Sequence, residues 1–376
     1  MESSSFTLRP ERTSGRPAPL RLGIDAANLA ADRRGMGRYA RGIVAAALDD
    51  PRIAVTLLST RRTDEAAIRA AFAGRIVAIA AARTARSRRL YDVVWYPFNG
   101  MRFGCAAPAV VTIHDAFAFT EAHPNPFARR REQRPIRRAA RRAALIVTDS
   151  RWSRDEIKRE LRPRRAPIGV IPLAPDSFWS PSVDAAPAEL AGKRFVLLVG
   201  AREPRKNAAM LVTACGQAFD RDDELLVIVG DPAPDAARLL QRTGVGHRVM
   251  HPDDVTLRAL YRSAALVAVP SHGEGFGLAA AEAMACGAPV VAARAAALPE
   301  VVGDAALLLD PDDTGAWADA IRSLLDDSGR ARQLASAGAV RYAFAARNAT
   351  ARRTLALLRR IGEARGTPPE LRDELA

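Results

Sequence analysis

Two glutamates eight residues apart, Glu274 and Glu282, bracket glycines and a short apolar stretch in Ser271-His272-Gly273-Glu274-Gly275-Phe276-Gly277-Leu278-Ala279-Ala280-Ala281-Glu282. Gly275 and Gly277 let a main chain approach a ligand with no Cβ in the way. A helix from about Leu278 to Ala285 would aim its first N–H groups and its positive dipole end at an anion. A carboxylate only accepts hydrogen bonds, so Glu274 and Glu282 suit hydroxyl pairs better than phosphate. Hydroxyls on either side of a diphosphate describe a sugar nucleotide. The plainer alternative, a glycine-rich turn with two solvated glutamates, does not account for the whole string. The apolar run before it, residues 264–270, reads as a buried parallel strand, so the glycines fall at a strand's carboxyl end, where open α/β sheets bind ligands.

Arg205 and Lys206 sit in Gly200-Ala201-Arg202-Glu203-Pro204-Arg205-Lys206-Asn207, between a strand at 195–199 and a helix at 208–219. Arginine can fork onto two phosphate oxygens and lysine supplies a point charge, so the pair could neutralise a departing diphosphate; a solvated basic turn is the alternative. His114 and Asp115 end the buried run Val110-Val111-Thr112-Ile113, which would deliver them to a cleft at a strand end. An adjacent pair in extended chain points to opposite faces, so a nucleophilic triad is a poor reading, and no Gly-x-Ser-x-Gly elbow is present. Gly35 and Gly37 in Gly35-Met36-Gly37-Arg38-Tyr39 open a helical pattern after the first strand; they serve either a helix start or a phosphate loop. Ser150 is placed to cap a helix at 151–161.

The elements that must position these residues alternate along the chain. Strands are expected at 20–26, 53–58, 75–80, 92–96, 109–113, 144–149 and 167–173, then at 194–199, 225–229, 248–251, 264–270, 289–292 and 306–309, with helices in most of the gaps. This gives an α/β fold of two Rossmann-like domains facing across a cleft. The expected division is a flexible leader at 1–18, a first domain at 19–178, a Pro-rich linker at 179–192, a second domain at 193–340 and a helical segment at 341–376. The last periodic stretch, 328–361, reads as helix.

Composition narrows the class. Hydrophobic content is 48%, ample for two cores, and 25 Gly with 25 Pro argues against a fibrous or disordered chain. Cys105, Cys215 and Cys286 are too widely spaced for a disulfide framework or a zinc site, and the start lacks an apolar targeting segment, so a cytoplasmic location is expected. Charge is lopsided. Residues 1–175 hold 33 Lys+Arg against 16 Asp+Glu, a net of +17, and residues 176–376 hold 23 against 26, a net of −3, which sum to +14. Arg130, Arg134, Arg137 and Arg141 recur at three- and four-residue spacing, on one helical face. Such a face fits a solvated coat, an anionic membrane surface or a pyrophosphate-linked acceptor. With few aromatics interleaved and no nucleic-acid module, nucleic acid ranks below the others.

The string from Ser271 to Val291, with its Glu-x7-Glu, resembles the carboxyl-domain motif of the retaining glycosyltransferases of family 4, and the likeness extends from Leu20 onward. That resemblance implies the two-domain GT-B fold, donor in the second domain and acceptor in the first, with the terminal helix crossing back to the first domain. It implies that Glu274 contacts donor-sugar hydroxyls, that the Gly275, Phe276, Gly277 and Leu278 backbone meets sugar and diphosphate, and that Glu282 holds the ribose. It places Gly35 and Gly37 over the donor phosphates, His114 at the transferred sugar or acceptor with Asp115 as a lesser contact, and Arg205 and Lys206 on the leaving diphosphate. Leu298-Pro299-Glu300-Val301-Val302-Gly303 matches as packing behind the donor loop. The reaction implied is a retaining, front-face transfer of a hexose to a glycan or lipid-linked acceptor, in the manner of bacterial mannosyltransferases of surface polysaccharide or lipopolysaccharide synthesis. GDP-mannose is the first donor and UDP-glucose the second, with no other cofactor. No Asp-x-Asp of the kind that holds Mg²⁺ for a diphosphate stands out, so no metal is expected. The chain departs from the family at Ala201, where some relatives carry arginine, near Met250, and at Phe344-Ala345-Ala346, where an aromatic pair is usual. A sugar-nucleotide epimerase or a phosphorylase on the same fold, and a non-catalytic basic binding protein, are the competing readings; Lys158, Lys193 and Lys206 offer no pyridoxal motif.

Overall fold

The computed structural model describes residues 18–32, 35–87, 89–122, 125–181, 186–343 and 349–371. The leader, the Phe344 to Ala346 departure and the last five residues lie outside them. Seven parallel strands form the first sheet: β1 (Leu20–Asp25), β2 (Ile53–Ser59), β3 (Ala78–Ala81), β4 (Val93–Tyr96), β5 (Ala109–Thr112), β6 (Leu145–Thr148) and β7 (Ile168–Val170), in the order β3-β2-β1-β4-β5-β6-β7. The second sheet has β8 (Arg194–Val199), β9 (Glu224–Val229), β10 (His247–Met250), β11 (Leu266–Val269), β12 (Val290–Ala293) and β13 (Leu307–Leu309), ordered β10-β9-β8-β11-β12-β13. All pairings are parallel. Each sheet runs outward in both directions from its first strand. The crevices at the carboxyl ends of β1/β4 and of β8/β11 are therefore the switch points where such sheets take ligands.

Burial explains why the strands are apolar runs: β4, β5, β6, β11 and β12 are buried at every position. The first sheet is covered on one face by α1 (Gly35–Leu48) and α2 (Glu65–Ala71), and on the other by α4 (Pro126–Arg142) and α5 (Arg151–Leu161), which follow the single turn α3 (Phe117–Thr120). Around the second lie α6 (Ala208–Ala218), α7 (Pro234–Thr243), α8 (Asp254–Ser263), α9 (Leu278–Ala285), α10 (Leu298–Val302), α11 (Thr314–Asp326) and α12 (Ser328–Arg341). Trp179, within the expected linker, is buried in the second core against Tyr261, ring centroids 5.8 Å apart.

Among the described residues, the expected helix at 328–361 is seen as α12 and a further helix, α13 (Ala349–Glu363), with Tyr342 and Ala343 outside both. The reason is anchorage. Arg341 Nε and the Tyr342 hydroxyl both donate to the Val301 carbonyl, 2.6 and 3.1 Å away, which fastens α12 to the second domain. Leu355, Leu357, Leu358 and Ile361 of α13 are buried in the first domain's core, and Gly362 packs so closely that a Cβ there would stand 2.5 Å from Leu20 Cδ1. One straight helix cannot serve both domains.

Candidate active site

The second domain's part of the candidate site is built after β11. The chain turns through Ser271–Gly277 and enters α9 from Gly277, whose φ of 99° lies in the left-handed region that favours glycine. At the start of α9 the Ala280 and Ala281 amides already donate to the Gly277 carbonyl, at 3.0 and 3.2 Å, which leaves those of Leu278 and Ala279 as the amides without an acceptor within the helix. Glu274 is buried and held on three sides. Lys206 Nζ and the Ser271 hydroxyl donate to its Oε1 at 2.6 and 2.9 Å, and Arg205 Nη1 reaches Oε2 at 3.4 Å. Burial alone would raise the Glu274 pKa, but the two cations win and hold it below the usual carboxylate range. Arg205 also donates to the Gly273 carbonyl at 2.6 Å, pairs with Glu203, and lies 4.6 Å over the Phe117 ring of the first domain. The turn that carries it follows β8 through Gly200, φ 83°, and ends on Asn207, φ 56°.

Glu282, on α9, is buried against Arg38 Nη2 at 2.6 Å and the Tyr261 hydroxyl at 3.2 Å. Arg38 comes from α1 of the first domain, reaches Asp254 at 3.2 Å and stacks 4.9 Å from the Trp179 ring. Burial outweighs the Arg38 charge, and the Glu282 carboxyl is pushed up to about 7. A cavity of about 1180 Å³ opens here, lined by Arg38, Tyr39, Trp179, Leu278 and Glu282 and continuing along α1 and α13; it does not reach Glu274, Lys206 or His114.

The first domain's part of the candidate site is built at the ends of β1, β4, β5 and β6. His114 is buried, its backbone N–H donating to Asn99 Oδ1 at 2.7 Å, its Nδ1 2.6 Å from Asp149 Oδ2 and its Nε2 3.1 Å from the Pro97 carbonyl. Both ring nitrogens thus already face protein acceptors, and a sugar oxygen would have to share or replace the Pro97 contact. Asp115 turns toward Phe117, whose N–H donates to it at 3.1 Å, and burial raises its pKa. Asp25, at the end of β1, is fully buried with Oδ1 accepting from Ala27 N–H at 3.1 Å and Arg102 3.7 Å from Oδ2; burial pushes it up to about 6 despite that arginine.

Two of the glycines expected to admit a ligand also lie close against the other domain. A Cβ on Gly275 would stand 2.7 Å from the His114 carbonyl oxygen, and one on Gly35 would stand 3.1 Å from Leu278 Cδ2. Gly37 is required locally, because a Cβ there would overlap the Asp32 carbonyl at 1.7 Å. Ser150 caps α5 by accepting from Ser153 N–H at 2.9 Å, and both serines donate to the Gly275 carbonyl, at 2.6 and 2.9 Å. Glu300 accepts from the Arg151 and Trp152 amides at 3.1 and 3.0 Å, so the Leu298 to Gly303 segment caps a first-domain helix as well as packing behind the loop.

The structure therefore brings Glu274, Gly275, Phe276, Gly277, Leu278, Glu282, Arg205 and Lys206 together, and sets His114, Asp115 and Gly35 against them. It leaves Arg130, Arg134, Arg137 and Arg141 elsewhere, exposed on α4, with Arg137 5.1 Å over the Phe119 ring. Two literal Asp-x-Asp strings are present, and an aspartate of each is engaged by a neighbouring side chain. Asp220 of Asp220-Arg221-Asp222 is engaged by Arg322 at 2.7 Å, and Asp312 of Asp310-Pro311-Asp312 by His272 at 2.8 Å. Among the described residues no group of three or more His, Cys, Asp or Glu side chains is arranged to hold a metal ion. Sequence reasoning did not single out Asp25, Arg38, Asn99, Asp149 or Tyr261. Asp25 and Asp149 carried a usable signal: each is an acid directly ending an apolar run, as His114 is.

Residues 193–327 match the family model described as glycosyl transferases group 1. Over 254 residues the chain is 37% identical to the O-antigen chain mannosyltransferase B of Escherichia coli, a match covering 61% of this chain and 65% of that one. It is 41% identical over 179 residues to a D-inositol 3-phosphate glycosyltransferase of Corynebacterium glutamicum, 42% of this chain and 43% of that one. The matches thus span less than two thirds of the relatives' length. In fold the chain resembles a sucrose-phosphate synthase from Thermosynechococcus elongatus, TM-score 0.69 at 22% identity over 93% of this chain and 100% of that one. It also resembles HepE of Anabaena in complex with UDP-glucose, TM-score 0.66 at 17% identity over 90% and 99%. The fold is GT-B, and residues 193–327 are a glycosyl transferases group 1 domain.

Proposed function

We propose that this chain, built around a glycosyl transferases group 1 domain, is a retaining glycosyltransferase that moves a hexose from a sugar nucleotide to a glycan or lipid-linked acceptor. The observation that carries the reading is the donor loop itself. Lys206 and Arg205 meet on Glu274, the same loop runs on into the start of α9, and the His114 carbonyl and Asp115 lie against Gly275 between them. Amides and two cations suit a diphosphate, and carboxylates suit hydroxyls.

The chemistry follows from what the carboxylates are doing. Glu274 is held by Lys206, Arg205 and Ser271, and Glu282 by Arg38 and Tyr261, so neither is presented as a nucleophile. That supports displacement on one face: the bond from the sugar's anomeric carbon to the phosphate oxygen breaks, and the acceptor oxygen bonds to that carbon from the same side. The acceptor's proton passes to the leaving diphosphate. Lys206, Arg205 and the α9 amides stabilise the charge that develops there. With two cations and a helix start in place, the reading needs no metal ion.

GDP-mannose is the first donor, supported by the likeness to the O-antigen mannosyltransferase, and UDP-glucose, bound in the HepE structure, is the second. The test incubates the protein with guanosine and uridine sugar nucleotides, with and without lipid-linked acceptors, and measures nucleotide diphosphate release. Consumption of a uridine donor with GDP-mannose inert would overturn the mannose assignment alone. Conversion of a sugar nucleotide to its epimer without diphosphate release, or no turnover of any donor, would overturn transfer. Among the described residues no helix is long and apolar enough to cross a membrane. We place the exposed arginines of α4 at the cytoplasmic face of an anionic membrane, where a lipid-linked acceptor would be met.

A further inference from the structure

His114 is held from every side by groups that leave its ring one arrangement. Nδ1 meets the Asp149 carboxylate at 2.6 Å and Nε2 meets the Pro97 carbonyl at 3.1 Å. A carbonyl only accepts, so Nε2 carries a proton; with Asp149 as the carboxylate, which also only accepts, Nδ1 carries one too and the ring is the imidazolium. The backbone is fixed as well: Asn99, itself at φ 41°, takes the N–H at 2.7 Å, and the Ser153 hydroxyl lies 2.9 Å from the His114 carbonyl and from the Gly275 carbonyl, its one proton shared between them. The ring meets Tyr39 of α1 edge to face at 5.0 Å and 88°. Asp149 directly follows β6, the strand beside β5, and is 2% exposed. A carboxylate buried so deeply is costly unless it faces a cation, and the His114 ring, once protonated, supplies one at 2.6 Å from its Oδ2.

We propose that Asp149 is a positioning residue for the transfer reaction: it keeps His114 doubly protonated and locked against the Pro97 carbonyl, fixing a cationic donor on the residue whose backbone carbonyl lies against Gly275 of the donor loop. The inference rests on the glycosyl-transfer reading and deepens it. An imidazolium has no lone pair to take a proton, so His114 is not the base in the reaction. It donates instead, through Nε2–H, to an oxygen of the sugar or acceptor shared with Pro97.

The charged and titratable groups around the ring agree. Asp149 comes from the end of β6, Asp115 from His114's own segment, Tyr39 from α1, and Glu274 and Arg205 from the second domain by way of Gly275 and Asp115. Burial works against the charged ring, but Asp149, and more distantly Asp115, more than restore it, and the His114 pKa is raised above the ordinary value.

The experiment is imidazole nitrogen NMR on the full chain across pH 5.5 to 9, with the His114 signals among the five histidines assigned by their loss in His114→Gln. In the wild type both His114 nitrogens are expected to stay protonated through neutral pH, and in Asp149→Asn the ring should titrate at or below the ordinary histidine value. Donor turnover measured alongside should show the alkaline limb of kcat moving to lower pH by about a unit or more in Asp149→Asn, with donor KM little changed, and moving back in Asp149→Glu. A wild-type His114 that is neutral near pH 7, or an Asp149→Asn ring and kcat limb that do not move, would overturn the proposal. Should Asp149→Asn fail to fold, the wild-type titration still decides. Should no donor be turned over, the transfer reading fails while the nitrogen spectra report on the pair.

Discussion

Replacing Glu282 by Gln should weaken donor binding and remove a pH dependence from it. In the structure Glu282 is 2% exposed and accepts from Arg38 and Tyr261 at 2.6 and 3.2 Å, leaving lone pairs for ribose hydroxyls arriving from the adjoining cavity. Hydrogen bonds to a charged acceptor are worth about 1.5 to 3 kcal/mol, so the amide should raise the donor Kd by roughly 10- to 140-fold. The carboxyl is pushed up to about 7 by burial, and hydroxyl donors prefer the ionised form. At pH 6 only about a tenth of it is ionised, so wild-type affinity should fall about tenfold between pH 8 and pH 6. Gln has no proton to gain, and the variant's curve should lack that fall. Titration calorimetry with the consumed donor at pH 6, 7 and 8 measures both quantities. A variant Kd equal to the wild type's at pH 8 refutes the ribose assignment. A weakened variant that keeps the full wild-type pH dependence refutes the claim that Glu282 is the group titrating.

Lys206→Met should lower kcat by about 100- to 1000-fold, because Lys206 is one of the cations placed for the leaving diphosphate; single-turnover kinetics at saturating donor would show it, and an unchanged rate excludes the role. Asp25→Asn should stabilise the protein at neutral pH. Its carboxyl is raised from 3.8 to about 6, so the native state holds the proton that the unfolded chain has lost across that window, and stability falls as pH rises through it. By pH 7.5 the buried carboxylate costs on the order of 3 kcal/mol, a difference from the variant that should shrink toward pH 4 in urea melts; parallel wild-type and variant curves would contradict it. Changing Arg130, Arg134, Arg137 and Arg141 together to Gln should cut binding to anionic vesicles by about 1 kcal/mol per residue. Cosedimentation insensitive to anionic lipid content would return α4 to a solvated face.

Much of the fold was legible because parallel strands buried on both faces are written as unbroken apolar runs. Each of the thirteen observed strands overlaps an expected one, and α9 begins and ends at Leu278 and Ala285 as the glycine and the apolar run require. The largest strand displacement is β3, expected from Arg75 and observed from Ala78; Arg75 instead pairs with Asp49 and Ile76 is 98% exposed. The charged face of α4 was legible too, since three- and four-residue spacing is a property of one helix.

What stayed hidden lies where distant segments meet. The Arg38–Glu282 pair joins positions 244 residues apart, and Gly275 owes its lack of a side chain to the carbonyl of His114 in the other domain. A window of sequence shows Gly275 as freedom to approach something, and it cannot show that the nearest thing is protein. The same holds for the break between α12 and α13, where amphipathic spacing continues although the two helices answer to different domains. It follows that Glu282 and Glu274, similar in the sequence as two glutamates flanking one loop, differ in charge state for reasons outside that loop. Lys206 and Arg205 of the same domain hold Glu274 below the carboxylate range, while burial pushes Glu282 up to about 7 despite Arg38 of the other domain. One glutamate is thereby held ionised and the pKa of the other is brought near neutrality, a difference set by partners that no window around the loop contains.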